Sequence, residues 1–409
     1  MRIALFTDTY ADDINGVARS LGMLVEHASA SGHEICLVTP RVSERPASGT
    51  SLHQQLRGIP IPIYPDLQLA RGLDGEGAKQ LRRFRPDLVH VATESTVGLS
   101  GRNWALREGI PLVTSFHTNF PAYLPDYHLG LLQPLVWRYL RWFHGPARIT
   151  LCPSRATRTE LEERGFHDRL RIWSRGVDME LFDPERRRPA MRDRIAPGAD
   201  HILLYVGRLA SEKRVDFLVE AFPRIRAACG PRTALVLVGD GPAAASLRAS
   251  APKGVHFTGF LRGEALADAY AAADVFAFAS ETETFGNVVL EALASGVPVV
   301  AVDRGGVTET VQPGRTGVLV RPGNLIGFAD ACTELLKNED ERLRLGNGAR
   351  AEALTRSWSS ILDGVLEAYR SSLLPERAPV GMGLGVDRGL RSFLRPATTS
   401  VYLQGRKGA

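Results

Sequence analysis

The chain opens with a short apolar run, Ile3–Thr7, of the kind a fully buried strand shows. A polar loop, Asp8–Asn15, leads to Gly16 and a predicted helix through about Ala30. Gly32-His33-Glu34 then turns the chain into a second apolar run, Ile35–Thr39. A strand–helix–strand unit at the start of a chain marks a parallel sheet with helices on both faces. The alternation continues with strands at Asp87–Val91, Pro111–Ser115 and Arg148–Pro153, and helices near Val97–Glu108 and Thr157–Arg164. Residues 183–200, rich in Pro, Arg, Asp and Gly, read as a linker.

A second series follows. Strands are predicted at His201–Val206, Thr233–Gly239, Val255–Thr258, Val275–Ala279, Pro298–Val302 and Val318–Val320. Between and after them lie helices at Val215–Cys229, Gly263–Ala273, a segment ending near Ser295, Leu325–Lys337 and Asp340–Ser357. The pattern therefore predicts an α/β protein of two doubly wound, Rossmann-like domains, with ligand sites at the carboxyl ends of the strands. The expected division is 1–185 for the first domain, 186–357 for the second, and an irregular tail over 375–409.

Composition narrows the class. A length of 409 residues suits two domains, and 44% hydrophobic with 23% charged residues is ordinary for a globular chain. The net charge of +5 is too small and too dispersed to argue for nucleic acid. Cys36, Cys152, Cys229 and Cys332 stand far apart without metal-like spacing and read as free thiols. Asp8 interrupts the N-terminus before a signal-peptide core forms, and no apolar run is long enough to span a membrane. The expectation is a cytoplasmic protein, with peripheral contact at the inner membrane face as an option.

The chemistry concentrates in Glu281-Thr282-Glu283-Thr284-Phe285-Gly286-Asn287-Val288-Val289-Leu290-Glu291. Glu283 and Glu291 bracket a glycine that opens an apolar helix, whose unpaired N–H groups and dipole suit a phosphate. Carboxylates on both sides of a phosphate make sense where each grips hydroxyls, the pattern of a sugar nucleotide. At ~1.5 Å per residue, Glu291 lies roughly 7–8 Å beyond Gly286, about the reach from phosphate to ribose. A surface helix with solvated glutamates fits the same letters.

Gly207-Arg208-Leu209-Ala210-Ser211-Glu212-Lys213 directly follows a strand, so Arg208 and Lys213 are placed to converge on a diphosphate. Asn15-Gly16-Val17-Ala18-Arg19 puts a glycine at a helix start after the first strand, without the dinucleotide G-x-G-x-x-G pattern. His117, in Ser115-Phe116-His117-Thr118-Asn119-Phe120, sits just past a strand end and is placed either for a sugar hydroxyl or for packing. Gly239 and the run Gly259-Phe260-Leu261 end strands in the second half, where they suit a base or a plain turn. Gln133–His144 mixes aromatics and arginines at helical spacing, as either an interfacial or a packed helix would. No P-loop, G-x-S-x-G elbow, H-E-x-x-H motif or metal-like acidic cluster occurs.

Together these motifs resemble the family-4 retaining glycosyltransferases of the GT-B fold, over about residues 1–370. Glu283 and Glu291 look like that family's Glu-x7-Glu signature, Arg208 and Lys213 like its diphosphate clamp, and Asn15-Gly16 like its N-terminal glycine loop. The Ser115–Phe120 segment is similar to a subgroup containing mannosyltransferases and sulfolipid-type glycosyltransferases. The resemblance implies that Glu283 binds a sugar hydroxyl and Glu291 the ribose. Backbone at Phe285, Gly286, Asn287 and Val288 would meet sugar and phosphates, and His117 would contact the sugar near C6. It also implies no metal and no other cofactor, and a closing helix, Trp358–Tyr369, that returns to the first domain.

The implied catalytic set is His117, Arg208, Lys213 and Glu283. The implied donor set is Asn15, Gly16, Gly207, Gly239, Phe260, Leu261, Phe285, Gly286, Asn287, Val288 and Glu291. The expected reaction moves a hexose from GDP-mannose or a UDP-hexose to a glycolipid or small-molecule glycoside. No carboxylate reads as a nucleophile, so a front-face mechanism is expected, in which the leaving phosphate takes the acceptor's proton. A sugar-nucleotide epimerase or phosphorylase, or a silent sugar-nucleotide-binding protein, are the alternatives.

Overall fold

The computed structural model describes residues 1–10, 16–40, 47–61, 64–70 and 72–374. Asn15 and the segment 375–409 lie outside them. The apolar runs form strands β1 (Arg2–Phe6), β2 (Glu34–Pro40), β3 (Leu52–Leu56), β4 (Gly58–Ile61), β5 (Tyr64–Ala70), β6 (Leu88–Val91), β7 (Leu112–Ser115), β8 (Ile149–Cys152) and β9 (Leu170–Ile172) in the first half. The second half holds β10 (His201–Val206), β11 (Thr233–Val238), β12 (Val255–Gly259), β13 (Val275–Phe278), β14 (Val299–Val302) and β15 (Gly317–Val320).

The first sheet has seven strands in the order β3-β2-β1-β6-β7-β8-β9, and the second six in the order β12-β11-β10-β13-β14-β15. Every pairing in both is parallel, as the continuous apolar strands require. A separate antiparallel hairpin pairs β4 with β5. In each large sheet the strand order reverses once, between β1 and β6 and between β10 and β13. These are the switch points at which doubly wound sheets bind ligands.

Each half has its own core. Ile202, Leu204, Phe276, Val300 and Leu335 belong to one cluster in the second half, while Ile3, Leu5, Leu37 and Val113 pack with Leu362, Val365, Leu366 and Tyr369 in the first. The last four sit on helix Trp358–Leu373, so the chain's final described helix is packed on the first sheet. The expected linker is different from its reading. Residues 183–200 carry a 3-10 turn, Pro184–Arg186, and a helix, Pro189–Ile195, whose Met191 and Ile195 are buried in the second core. Proline at the first helical turn is compatible with a helix because that N–H has no intrahelical acceptor.

Candidate active site

The helix Asn287–Ala294 begins at Gly286, whose φ of +91° is a left-handed conformation that glycine adopts without strain. A β-carbon there would also lie 2.9 Å from Val307 Cγ1. The preceding loop is fixed from behind by Gly306, whose N–H donates to the Glu283 carbonyl at 2.8 Å. This presents Glu283, Thr284 and Phe285 at the carboxyl edge of β13. The helix is not a solvated surface helix, because Val289, Leu290, Glu291, Ala292 and Leu293 are all buried.

Glu291 is 5% exposed and holds two partners. Arg19, from the helix Gly16–Ala30 of the first half, forms an ion pair with its Oε1. Tyr270 Oη donates to its Oε2 at 3.0 Å. Burial raises the carboxyl's pKa, with Arg19 and the Tyr270 hydrogen bond pulling against that shift. Glu283 is paired with Lys213 Nζ. Burial opposes the ammonium's charge, yet the adjacent Glu283 carboxylate holds its pKa well above the usual lysine range.

The two halves meet here. Thr284 Oγ1 donates to the His117 carbonyl at 2.8 Å, and Tyr127 Oη donates to Glu212 Oε2 at 3.0 Å. Gly16 faces Asn287 so closely that a β-carbon at Gly16 would lie 2.6 Å from Asn287 Nδ2. An open cleft of about 710 Å³ runs beside this junction, lined by Asn119, Trp137 and Glu160 on one side and Arg214, Glu283 and Arg304 on the other. Cations and carboxylates thus alternate at the carboxyl edges of the two sheets, with Lys213 after β10 and Glu283 after β13 at the second sheet's switch point. That arrangement can hold a charged diphosphate between hydroxyl-binding carboxylates.

Residues 14–181 match the family described as Glycosyltransferase Family 4, and residues 200–338 match Glycosyl transferases group 1. The chain is 36% identical over 376 residues to a GDP-mannose-dependent alpha-mannosyltransferase of Mycobacterium tuberculosis, covering 91% of this chain and 97% of that protein. The chain belongs to glycosyltransferase family 4. It is also 31% identical to the sulfoquinovosyl transferase SQD2 of Arabidopsis thaliana, over 87% of this chain and 71% of that protein. Among solved structures, Anabaena Alr3699/HepE in complex with UDP and glucose superposes with a TM-score of 0.71 at 20% identity, covering 91% and 100% of the two chains. That likeness establishes the GT-B fold. The protein is a glycosyltransferase that uses a nucleotide sugar.

Within this glycosyltransferase the structure gathers His117, Lys213, Glu283, Phe285, Gly286, Asn287, Gly16 and Glu291 around one junction. Gly207 and Arg208 follow β10 at the same edge, with the Arg208 carbonyl accepting from Tyr205 Oη at 3.0 Å. Gly239 and Gly259 are hydrogen-bonded to each other at the ends of β11 and β12, on the same carboxyl edge, with Phe260 exposed and Leu261 packed against the second core. Val288 is half-buried on that core as well.

Sequence reasoning missed three partners of the set. Arg19 lies in the motif already singled out, three residues past Gly16, where its charge was the available signal. Tyr270 sits mid-helix with no local signal. Arg175, in Trp173-Ser174-Arg175-Gly176, had none either, and the residue is 4% exposed, with its guanidinium beside His117. Asp8, which opens the loop after β1, has a structural task. It accepts from the Val97 N–H at 2.9 Å and from Thr93 Oγ1 at 2.6 Å, at the start of helix Thr96–Glu108.

Proposed function

We propose that this glycosyltransferase moves a mannosyl group from GDP-mannose to an acceptor hydroxyl, with retention of anomeric configuration and without a metal. The observation that carries the donor is the near-full-length similarity to GDP-mannose-dependent alpha-mannosyltransferases of Mycobacterium tuberculosis and Mycolicibacterium smegmatis, at 36% and 34% identity. In this reading the diphosphate lies between Arg208, Lys213 and the N–H groups at the start of helix Asn287–Ala294. Lys213 exchanges part of its contact with Glu283 for the leaving phosphate, and Glu283 turns to a mannose hydroxyl. Glu291 takes the ribose hydroxyls while Arg19 keeps it ionised. The acceptor oxygen attacks from the same face as the departing phosphate, which accepts its proton, and the cations stabilise the charge released. Closure of the halves limits hydrolysis of the donor by excluding water.

The acceptor in this reading is a glycolipid. Leu131, at 99% exposure, and the exposed Leu129, Leu132 and Leu135 form an apolar rim beside the cleft, next to Arg138 and Arg141 of helix Gln133–His144. Such a rim suits a membrane surface holding the acceptor. No helix among the described residues is long and apolar enough to cross a membrane.

The first experiment is thermal stabilisation by GDP, UDP and ADP, followed by transfer from GDP-mannose in the presence of chelator. At 100 times its Kd a nucleotide should add about 2.7 kcal/mol to stability. Selective stabilisation by GDP and chelator-resistant transfer are expected. Selectivity for UDP would replace the donor, and stabilisation by none would remove the donor-site reading.

A further inference from the structure

His117 and Arg175 form a pair with an unusual balance. Arg175 Nη2 lies 2.8 Å from His117 Nδ1, and its Nη1 donates to the carbonyls of Trp173 at 2.7 Å and Ser174 at 3.2 Å. No carboxylate forms an ion pair with Arg175 among the described residues. A guanidinium only donates, so the ring nitrogen facing it must accept, and the imidazole proton then belongs on Nε2. That Nε2 is buried and has no hydrogen-bond partner among the described residues. A buried donor left without an acceptor is destabilising, so its retention calls for an acceptor that arrives with a ligand.

We propose that Arg175 is a positioning residue, which fixes His117 as an Nε2–H donor aimed at a hydroxyl oxygen of the transferred sugar. This rests on the glycosyl-transfer reading of the junction given above. The ring is held at both ends of its own segment. Its carbonyl accepts from Thr284 Oγ1 of the Glu283 loop, and Trp173 packs edge-on at 5.0 Å between ring centroids. With its tautomer set as well, His117 offers one donor in one direction, which favours a sugar bearing an acceptor oxygen there.

The other groups facing the pair leave Arg175 as its controlling charge. His90, from β6, is uncharged, its pKa pushed down to about 3 by burial, with its ring nitrogens meeting Ser115 Oγ and Tyr369 Oη. Cys152, from β8, is a thiol pushed up to about 12 by burial. Glu283, from the facing loop, is paired with Lys213, and Arg356, which meets the Ser174 hydroxyl at 3.4 Å, is itself paired with Glu352. His117 itself is held well below the usual histidine range, by burial first, then by Arg175 and His90. Arg175 is lowered to about 10 by burial and remains charged at neutral pH.

The test compares the wild type with Arg175→Met and Arg175→Lys, using His117→Asn to assign the ring signals. Nitrogen NMR of the histidine rings reads the tautomer, and kcat/KM for the nucleotide sugar is followed from about pH 5 to pH 9. The wild type should show His117 as a neutral Nε2–H ring throughout. Arg175→Met should mix the tautomers and lose about tenfold in kcat/KM at high pH. That deficit should narrow toward the acid end of the range, because loss of Arg175 removes one of the charges opposing protonation while burial still holds the ring below the usual histidine range, and an imidazolium restores both the lost charge and a proton on Nε2. Arg175→Lys, which keeps a cationic donor, should keep the tautomer and most of the rate. An Nδ1–H ring in the wild type, or a deficit in Arg175→Met equal at every pH with the tautomer unchanged, overturns the proposal. Should Arg175→Met not fold, the wild-type and Arg175→Lys spectra still decide the tautomer. Failure of the wild type to transfer sugar from any nucleoside-diphosphate donor would instead count against the functional reading, which the spectra do not depend on.

Discussion

Glu291 is a carboxylate almost wholly removed from water, and its ionisation depends on one cation from the opposite half. With Tyr270 on Oε2 and Arg19 on Oε1, lone pairs remain for two vicinal hydroxyls, since a carboxylate offers about four acceptor sites. Arg19→Ala leaves burial unopposed by that charge and pushes the Glu291 pKa further up. A protonated carboxyl gives up acceptor capacity, so donor affinity in Arg19→Ala should fall about tenfold and worsen as pH falls. Donor KM measured against pH in both proteins checks this, and a pH-independent change would assign Arg19 a different task. The two glutamates and the lysine were legible in the sequence because strand ends and helix starts are local features. Arg19 as the partner of Glu291, and Arg175 as the partner of His117, were not, because each pairing joins residues far apart in the chain.

At the scale of elements, the sequence located the strands of both sheets near the site, whose apolar runs are long and bounded by glycines. It failed where the pattern is mixed. β3 reads Leu52-His53-Gln54-Gln55-Leu56, too polar for a buried strand, because it stands at the edge of its sheet. The helix Pro189–Ile195 was hidden by arginines and prolines that suggested a linker. Those arginines anchor it. Asp274, beside β13, is paired with Arg187 and Arg192 and accepts from the Ile202 N–H at 2.7 Å. Burial works against the Asp274 charge, but Arg192 and Arg187 together bring its pKa below the ordinary 3.8. A depressed carboxyl pKa stabilises the fold above the unfolded value and loses that contribution as pH falls through the folded one. Asp274→Asn should therefore cost about 3 kcal/mol near neutrality, less at acid pH, where the wild type has lost the same contribution. Urea unfolding midpoints across that pH range measure both.

For the molecule as a whole, the site depends on how the chain returns to its start. Trp358–Leu373 closes the first core and reaches the site's wall through one polar chain: Tyr369 Oη meets His90 Nδ1 at 2.7 Å, and His90 Nε2 meets Ser115 Oγ at 2.7 Å. The His90 ring lies 5.9 Å from Trp173, which in turn packs on His117. The last helix therefore braces the His117 side of the junction, while Arg19 and Thr284 tie the halves across it. Neutral His90 needs the Tyr369 hydroxyl, because no solvent reaches the pair. Tyr369→Phe removes that partner while keeping the ring's volume, so it should cost about 1–3 kcal/mol in unfolding free energy. Its effect on transfer separates two kinds of support. If the helix only completes the core, donor KM and kcat stay at wild-type values at a temperature where the variant is fully folded. If it braces His117 through His90 and Trp173, kcat falls with donor KM nearly unchanged, because the reacting geometry loosens while the nucleotide, held by the second half, does not. The buried and unbroken path from Tyr369 to His117 favours the second result, and steady-state kinetics on the folded variant decides it.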